Sequence, residues 1–117
     1  MNLTESQFDF LKDVDPLMHA LLVSAEAVYY TAPAHTLVQT RKFAEALVNK
    51  VAQANGLDIP DQSDFLSRIR LIENRLKLKP EFISVLHTLR INGNKGAHDT
   101  ETSHTDALTS LRLSYKV

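Results

Sequence analysis

The stretch Leu89-Arg90-Ile91-Asn92-Gly93-Asn94-Lys95-Gly96-Ala97-His98 gathers the residues of this chain best suited to chemistry. On a helix Arg90, Asn94 and His98 recur every fourth position and share one face. His87 lies three residues before Arg90 and joins that ridge. Phe82, Val85, Leu86 and Leu89 are expected on the opposite, apolar face. The small residues Gly93, Gly96 and Ala97 allow a neighbouring backbone to come close and shape a helix-to-turn junction. A guanidinium, a carboxamide and two imidazoles on one ridge can bind phosphate, build a buried polar network or move protons.

Each use has a geometric requirement. In RNA cleavage His98 takes a proton from a 2′-hydroxyl while Arg90 stabilises the phosphorane. Seven residues separate the two, about 12 Å along a continuous helix, which is far for one scissile phosphate. Asn94 stands closer to His98 but cannot supply a cation. In a structural use, Asn94 and His98 bond backbone groups where the helix gives way to a turn. Arg90 then pairs with Glu45 or Glu81, a contact worth little on the surface. In a binding use, the ridge contacts a protein or a nucleic-acid backbone. The residue types leave all three open, and no catalytic residue is assigned.

Composition narrows the classes. A chain of 117 residues is enough for one domain with one core. With 44% hydrophobic and 23% charged residues it matches ordinary globular usage, against disorder. Thirteen Lys+Arg against 14 Asp+Glu give a net charge of −1, so any DNA contact must be local rather than a general basic surface. The absence of cysteine removes disulfides, thiolate catalysis and cysteine–zinc sites. The richest apolar run, Leu17 to Tyr30, is broken by His19, Ser24 and Glu26 and falls short of the roughly 20 residues of a membrane span. The start, Met1-Asn2-Leu3-Thr4-Glu5, has no basic, apolar leader pattern. A cytoplasmic protein with no membrane partner is expected.

Helices must position the ridge. Three glycines and four prolines in the whole chain suit long helices and short loops. Thr4 with Gln7 resembles a capping box, opening a short helix that ends near Asp13. Asp15-Pro16 caps a second helix to about Tyr30, with Leu17, Leu21, Ser24, Ala25 and Val28 facing inward. Ala32-Pro33-Ala34 breaks it. A third helix, about Ala34 to Asn55, carries Leu37, Val38, Phe43, Ala44, Leu47, Val48 and Val51, with Gly56 beyond its end. Arg41 and Glu45, four apart, form a surface ion pair. Ser63 or Asp61 caps a fourth helix with Phe65, Leu66, Ile69 and Ile72, ending near Leu76. Pro80-Glu81 opens a fifth, which holds the polar ridge. His98 to Thr102 turns, and Ser103 with Asp106 caps a last helix through Leu108, Leu111 and Leu113. No run keeps a strand period. The expectation is an all-α bundle of about five to six helices, residues 1–117 forming one domain. The last helix is still amphipathic at Ser114-Tyr115-Lys116-Val117, as expected of the N-terminal part of a longer chain, although a naturally short protein can end the same way.

Other signals are weaker. Arg68, Arg70, Arg75, Lys77 and Lys79 form the best basic patch and, with Lys95, are the candidate DNA contacts; a solvated helix face reads the same way without aromatic platforms. His19, His35 and His104 lack metal-ligand spacing, so no metal site is expected. Tyr29-Tyr30 at a helix end suits a core edge better than base stacking. No glycine-rich phosphate loop is present, so the segment holds no P-loop for ATP. Pro60-Asp61 with Glu73-Asn74-Arg75 faintly echoes a PD…(D/E)xK nuclease pattern, but it ends in arginine in a helical context and lacks the carboxylates a metal needs.

Three segments carry a resemblance: Gln7-Phe8-Asp9-Phe10-Leu11-Lys12, Thr40-Arg41-Lys42-Phe43-Ala44-Glu45, and Leu89 to His98, which resembles an LRxxGNxAxH signature. In this order they resemble the N-terminal helical domain of the R (motor and endonuclease) subunit of type I restriction enzymes. The family often has glycine where this chain has Ala44 and alanine where it has Gly96. The resemblance implies a helical domain that precedes a nuclease and an ATP-driven motor. It implies modification and specificity subunits as partners, and ATP and Mg2+ as cofactors of the parent protein rather than of this segment. The domain is also similar to the HEPN group of bundles, some of which are metal-independent RNases using an arginine and a histidine at a shorter spacing than Arg90 and His98. The expected function is therefore a non-catalytic accessory domain for assembly or DNA positioning. The alternatives are a stand-alone HEPN-like RNase of a defence or toxin system and a protein-binding dimerisation bundle.

Overall fold

The computed structural model describes residues 8–12, 15–97 and 104–116 of the chain. Prolines and acidic caps set the helix starts. Asp15 is extended, and its Oδ1 accepts from the Met18 amide at 3.0 Å. With Pro16 at the first helical position this opens α1, Pro16–Ala27. Helix α1 stops short of the expected Tyr30. Pro33 does not break a helix; it begins α2, Pro33–Ala54. Beyond the Asn55 cap, Gly56 takes φ +70°. The Leu57 amide donates to Ala52 O at 2.9 Å and the Gly56 amide to Gln53 O at 3.2 Å, which closes the end as a Schellman motif.

Helix α3, Phe65–Arg75, is capped by Asp64, not by Ser63 or Asp61: Asp64 Oδ1 accepts from the Ser67 amide at 2.8 Å. The chain then extends through Leu76. Leu76 and Leu78 turn to the core while Lys77 and Lys79 are exposed, a short alternation that the helical reading passed over. Helix α4 is Pro80–Ala97 and α5 is His104–Lys116. Of the expected first helix the described residues show a 3-10 turn, Asp9–Leu11, preceded by the fully buried Phe8. The Thr4–Gln7 box, the turn from His98 to Thr102 and the Ser103 cap lie outside the described residues.

The described residues form five α-helices and no strand, a small helical bundle. Helix α2 is its axis and packs against each of the other four. Phe43, Ala44 and Val48 of α2 meet Leu22, Ile69, Ile72, Leu86 and Leu89 in the core. The face of α1 is turned from its expected position: Met18, Leu22 and Ala25 are buried, whereas Leu17 is 61% exposed. Helix α1 is apolar on nearly every side, so periodicity alone does not choose its face. Two polar contacts fix it instead: Asp15 to Lys50 of α2 at 3.2 Å, and His19 Nε2 to Asp9 Oδ1 at 2.9 Å.

Polar residues also enter the interior. Thr36, Thr40, Ser110 and Ser114 are buried. Thr36 Oγ1 donates to Ala25 O at 2.8 Å, satisfying a carbonyl in the last turn of α1. Thr40 Oγ1 donates to Leu37 O and Ser114 Oγ to Ser110 O within their own helices. Among the described residues no helix is long and apolar enough to cross a membrane.

Candidate functional site

The site is built by how closely α4 lies on α2. At Gly93 a Cβ atom would fall on the Arg41 side chain, 2.5 Å from its Cδ. At Gly96 a Cβ would stand 2.6 Å from Ala34 O and 3.0 Å from Leu37 Cβ. Both distances are below contact, so only glycine admits this approach. Ala97 is the last residue of α4. The Arg41 stem therefore runs over Gly93, and its guanidinium carbon lies 5.5 Å from the centroid of the Phe65 ring. Arg41 Nη1 contacts Glu45 Oε1 at 2.8 Å, an i,i+4 pair on α2.

Arg90 and Asn94 do not stand opposite the apolar face of α4. Ile83, Leu86 and Leu89 are buried, Phe82 and Val85 only partly, and Arg90 and Asn94 flank that stripe, half-buried. They line a cleft of about 200 Å³ with Arg41, Asp64, Phe65 and Leu66. A second cleft of about 220 Å³ shares Arg41, Asp64 and Phe65 and adds Glu45, Ser63 and Arg68. Arg90 pairs with neither Glu45 nor Glu81 among the described residues, and its Nε is buried without an acceptor. The Arg41 Nε is in the same state. Asp64 is held below the usual carboxylate range, first by the Ser67 hydroxyl and amide, then by the charges of Arg70 and Arg90. His87 is half-buried on the same helix, and His98 lies outside the described residues.

The basic residues separate by role. Arg68 is committed to the α2–α3 connection. Its Nε donates to Ser63 O and Ser63 Oγ, each at 3.1 Å, Nη1 to Asn49 Oδ1 at 3.1 Å and Nη2 to Asp61 O at 3.3 Å. It is a loop clamp rather than a waiting contact. Lys95 reaches Asp106 Oδ2 of α5 at 3.7 Å. Arg70, Arg75, Lys77 and Lys79 are exposed.

Sequence reasoning missed several residues of this region. Phe65 and Asp64 supply a wall and a charge, although Phe65 reads only as core. Asn92 Nδ2 donates to Ser110 Oγ at 3.1 Å, tying α4 to α5. Its signal was its place inside a polar run on a helix that must pack on two sides. Among the described residues no three His, Cys, Asp or Glu side chains are grouped to hold a metal ion.

The chain is similar to a restriction endonuclease subunit. It is 30% identical over 115 residues to the type I restriction enzyme EcoKI endonuclease subunit of Escherichia coli K12, an alignment covering 98% of this chain and 10% of that subunit. The chain thus spans about a tenth of the length of that curated relative. No family model matches the sequence. No solved structure matches it.

Proposed function

We propose that this chain is a non-catalytic accessory domain of a type I restriction R subunit, its N-terminal part, serving assembly or the positioning of DNA. The observation that supports it most is the similarity to the EcoKI endonuclease subunit along almost the whole chain. The geometry agrees: the described glycines and Asn92 of the Leu89–His98 stretch close α4 onto α2 and α5. The Arg90–Asn94 flank then stands half-open as a contact surface. On this reading the bundle is of the HEPN type, the protein is cytoplasmic, and its partners are the modification and specificity subunits. DNA is a possible further ligand through Arg70, Arg75, Lys77 and Lys79. Nuclease and motor, with their ATP and Mg2+, belong to other parts of such a subunit; the residues described here offer no grouped metal ligands for them.

Sequencing the gene onward from the Val117 codon tests the reading. A frame that continues into a nuclease domain and an ATP-binding motor supports it. A stop codon there contradicts it and returns weight to a stand-alone RNase or dimerising bundle, which metal-free incubation with labelled RNA then separates.

A further inference from the structure

We infer that the cleft between Arg41 and Arg90 is a carboxylate-binding site, through which an acidic side chain or the C-terminal carboxylate of a partner protein anchors to this chain. The inference deepens the reading above and depends on it only for the partner's identity.

The argument begins from donors without acceptors. Arg90, half-buried, donates to no acceptor among the described residues, and its Nε is enclosed. Asn94, one turn further along α4, has no side-chain partner among them either. Arg41 has Glu45 at one terminal nitrogen while its Nε is unmatched. Buried charged donors normally have partners, since leaving them without one is costly. Two such groups, the Nε–H of Arg41 and of Arg90, belong to side chains that line with the Asn94 amide a single cleft of about 200 Å³, room for one small polar group. A modest turn of either guanidinium presents its fork to two oxygens side by side, the arrangement a carboxylate supplies.

The surroundings select a single negative charge on a protein over a polyanion. Asp64 lines the cleft and Glu45 the one beside it. These two acids balance Arg41 and Arg90. Arg68 alongside is bonded only to neutral oxygens and Arg70 also acts on Asp64, so positive charge stays in excess for an incoming carboxylate to offset. A nucleic-acid backbone would bring further phosphates against Asp64 and Glu45, onto a chain of net charge −1. The Arg41 guanidinium already occupies a face of the Phe65 ring, so that face is closed to a stacked base.

The test follows the Nε–H resonances of Arg41 and Arg90 in 15N-labelled protein. Sodium acetate, acetyl-glutamate amide and a short DNA duplex are titrated in turn, with sodium chloride at matched ionic strength as control. Saturable shifts at both arginines with the two carboxylates are expected. They should weaken about tenfold or more in Arg90→Gln and partly recover in Arg90→Lys. Shifts no larger than those with chloride overturn the inference, as does a duplex that moves the same resonances at lower concentration than acetate. If Arg90→Gln does not fold, Arg41→Lys keeps the stem over Gly93 and takes its place. Association with modification and specificity subunits that Arg90→Gln leaves unchanged sinks this site but not the accessory function. Saturable acetate binding by a chain that associates with neither subunit does the reverse.

Discussion

Gly93 of α4 lies directly on the side chain of Arg41 of α2, with no room for a methyl group between them. A Cβ at Gly93 meets atoms next to the α2 backbone, so the strain cannot be relieved by swinging a flexible tip. Gly93→Ala is expected to lose about 1–3 kcal/mol, overpacking outweighing the better helix propensity of alanine. Urea unfolding measures this. Arg41→Ala should relieve the change only in part, because its own Cβ remains.

Thr36→Val tests the buried hydroxyl that closes α1. Valine fits the volume but leaves Ala25 O without its 2.8 Å donor. A loss of about 1–3 kcal/mol is expected, with faster amide exchange at the end of α1. Unchanged stability would show that water replaces the hydroxyl there.

The helices were legible because their ends are chemically marked. Asp15-Pro16, Asn55-Gly56 and Pro80-Glu81 state where helices start or stop, and the structure uses each junction. The apolar stripe of α2 was legible for the same kind of reason, since Leu37, Phe43, Ala44 and Val48 recur among polar residues. Helix α1 has no such contrast, and contacts remote in sequence turn it to bury Met18 in place of Leu17. Thr36 stood outside the expected α2 stripe because its burial depends on the Ala25 carbonyl that folding brings to it. The ridge of Arg90 and Asn94 was found by spacing, but the cleft it borders needs Asp64 and Phe65 from α3. Nothing local announces that meeting. The bonds of Arg68 were hidden for a similar reason: a lone sequence cannot show that Ser63, Asp61 and Asn49 come together around its guanidinium.

Arg68→Ala should loosen residues 61–63 rather than abolish binding to nucleic acid. Four hydrogen bonds hang on that guanidinium, and a total loss of about 1–2 kcal/mol is expected at this partly exposed place. Limited proteolysis at the α2–α3 connection should accelerate. Arg68→Lys should not restore protection, because one ammonium cannot span the same acceptors.

Acid should expose the two caps. Asp15 is held below the ordinary carboxylate range chiefly by the Met18 amide, with Lys50 adding to it, and Asp64 by Ser67. Lowered folded-state values mean that their stabilisation is fully present above the unfolded value, near 3.8. It disappears as pH falls through the folded values. Asp15→Asn and Asp64→Asn are therefore expected to be less stable than the parent at pH 7. The difference should shrink steadily below that unfolded value. A gap in thermal midpoint that stays constant down to acid pH would show that charge is not the cause.

The proposed accessory function is tested most directly by sedimentation of this chain with a purified complex of type I modification and specificity subunits. The account predicts that the chain moves with the complex, and that Gly93→Ala, by disturbing α4 on α2, weakens the association. A chain that sediments alone at every ratio of the components would contradict it.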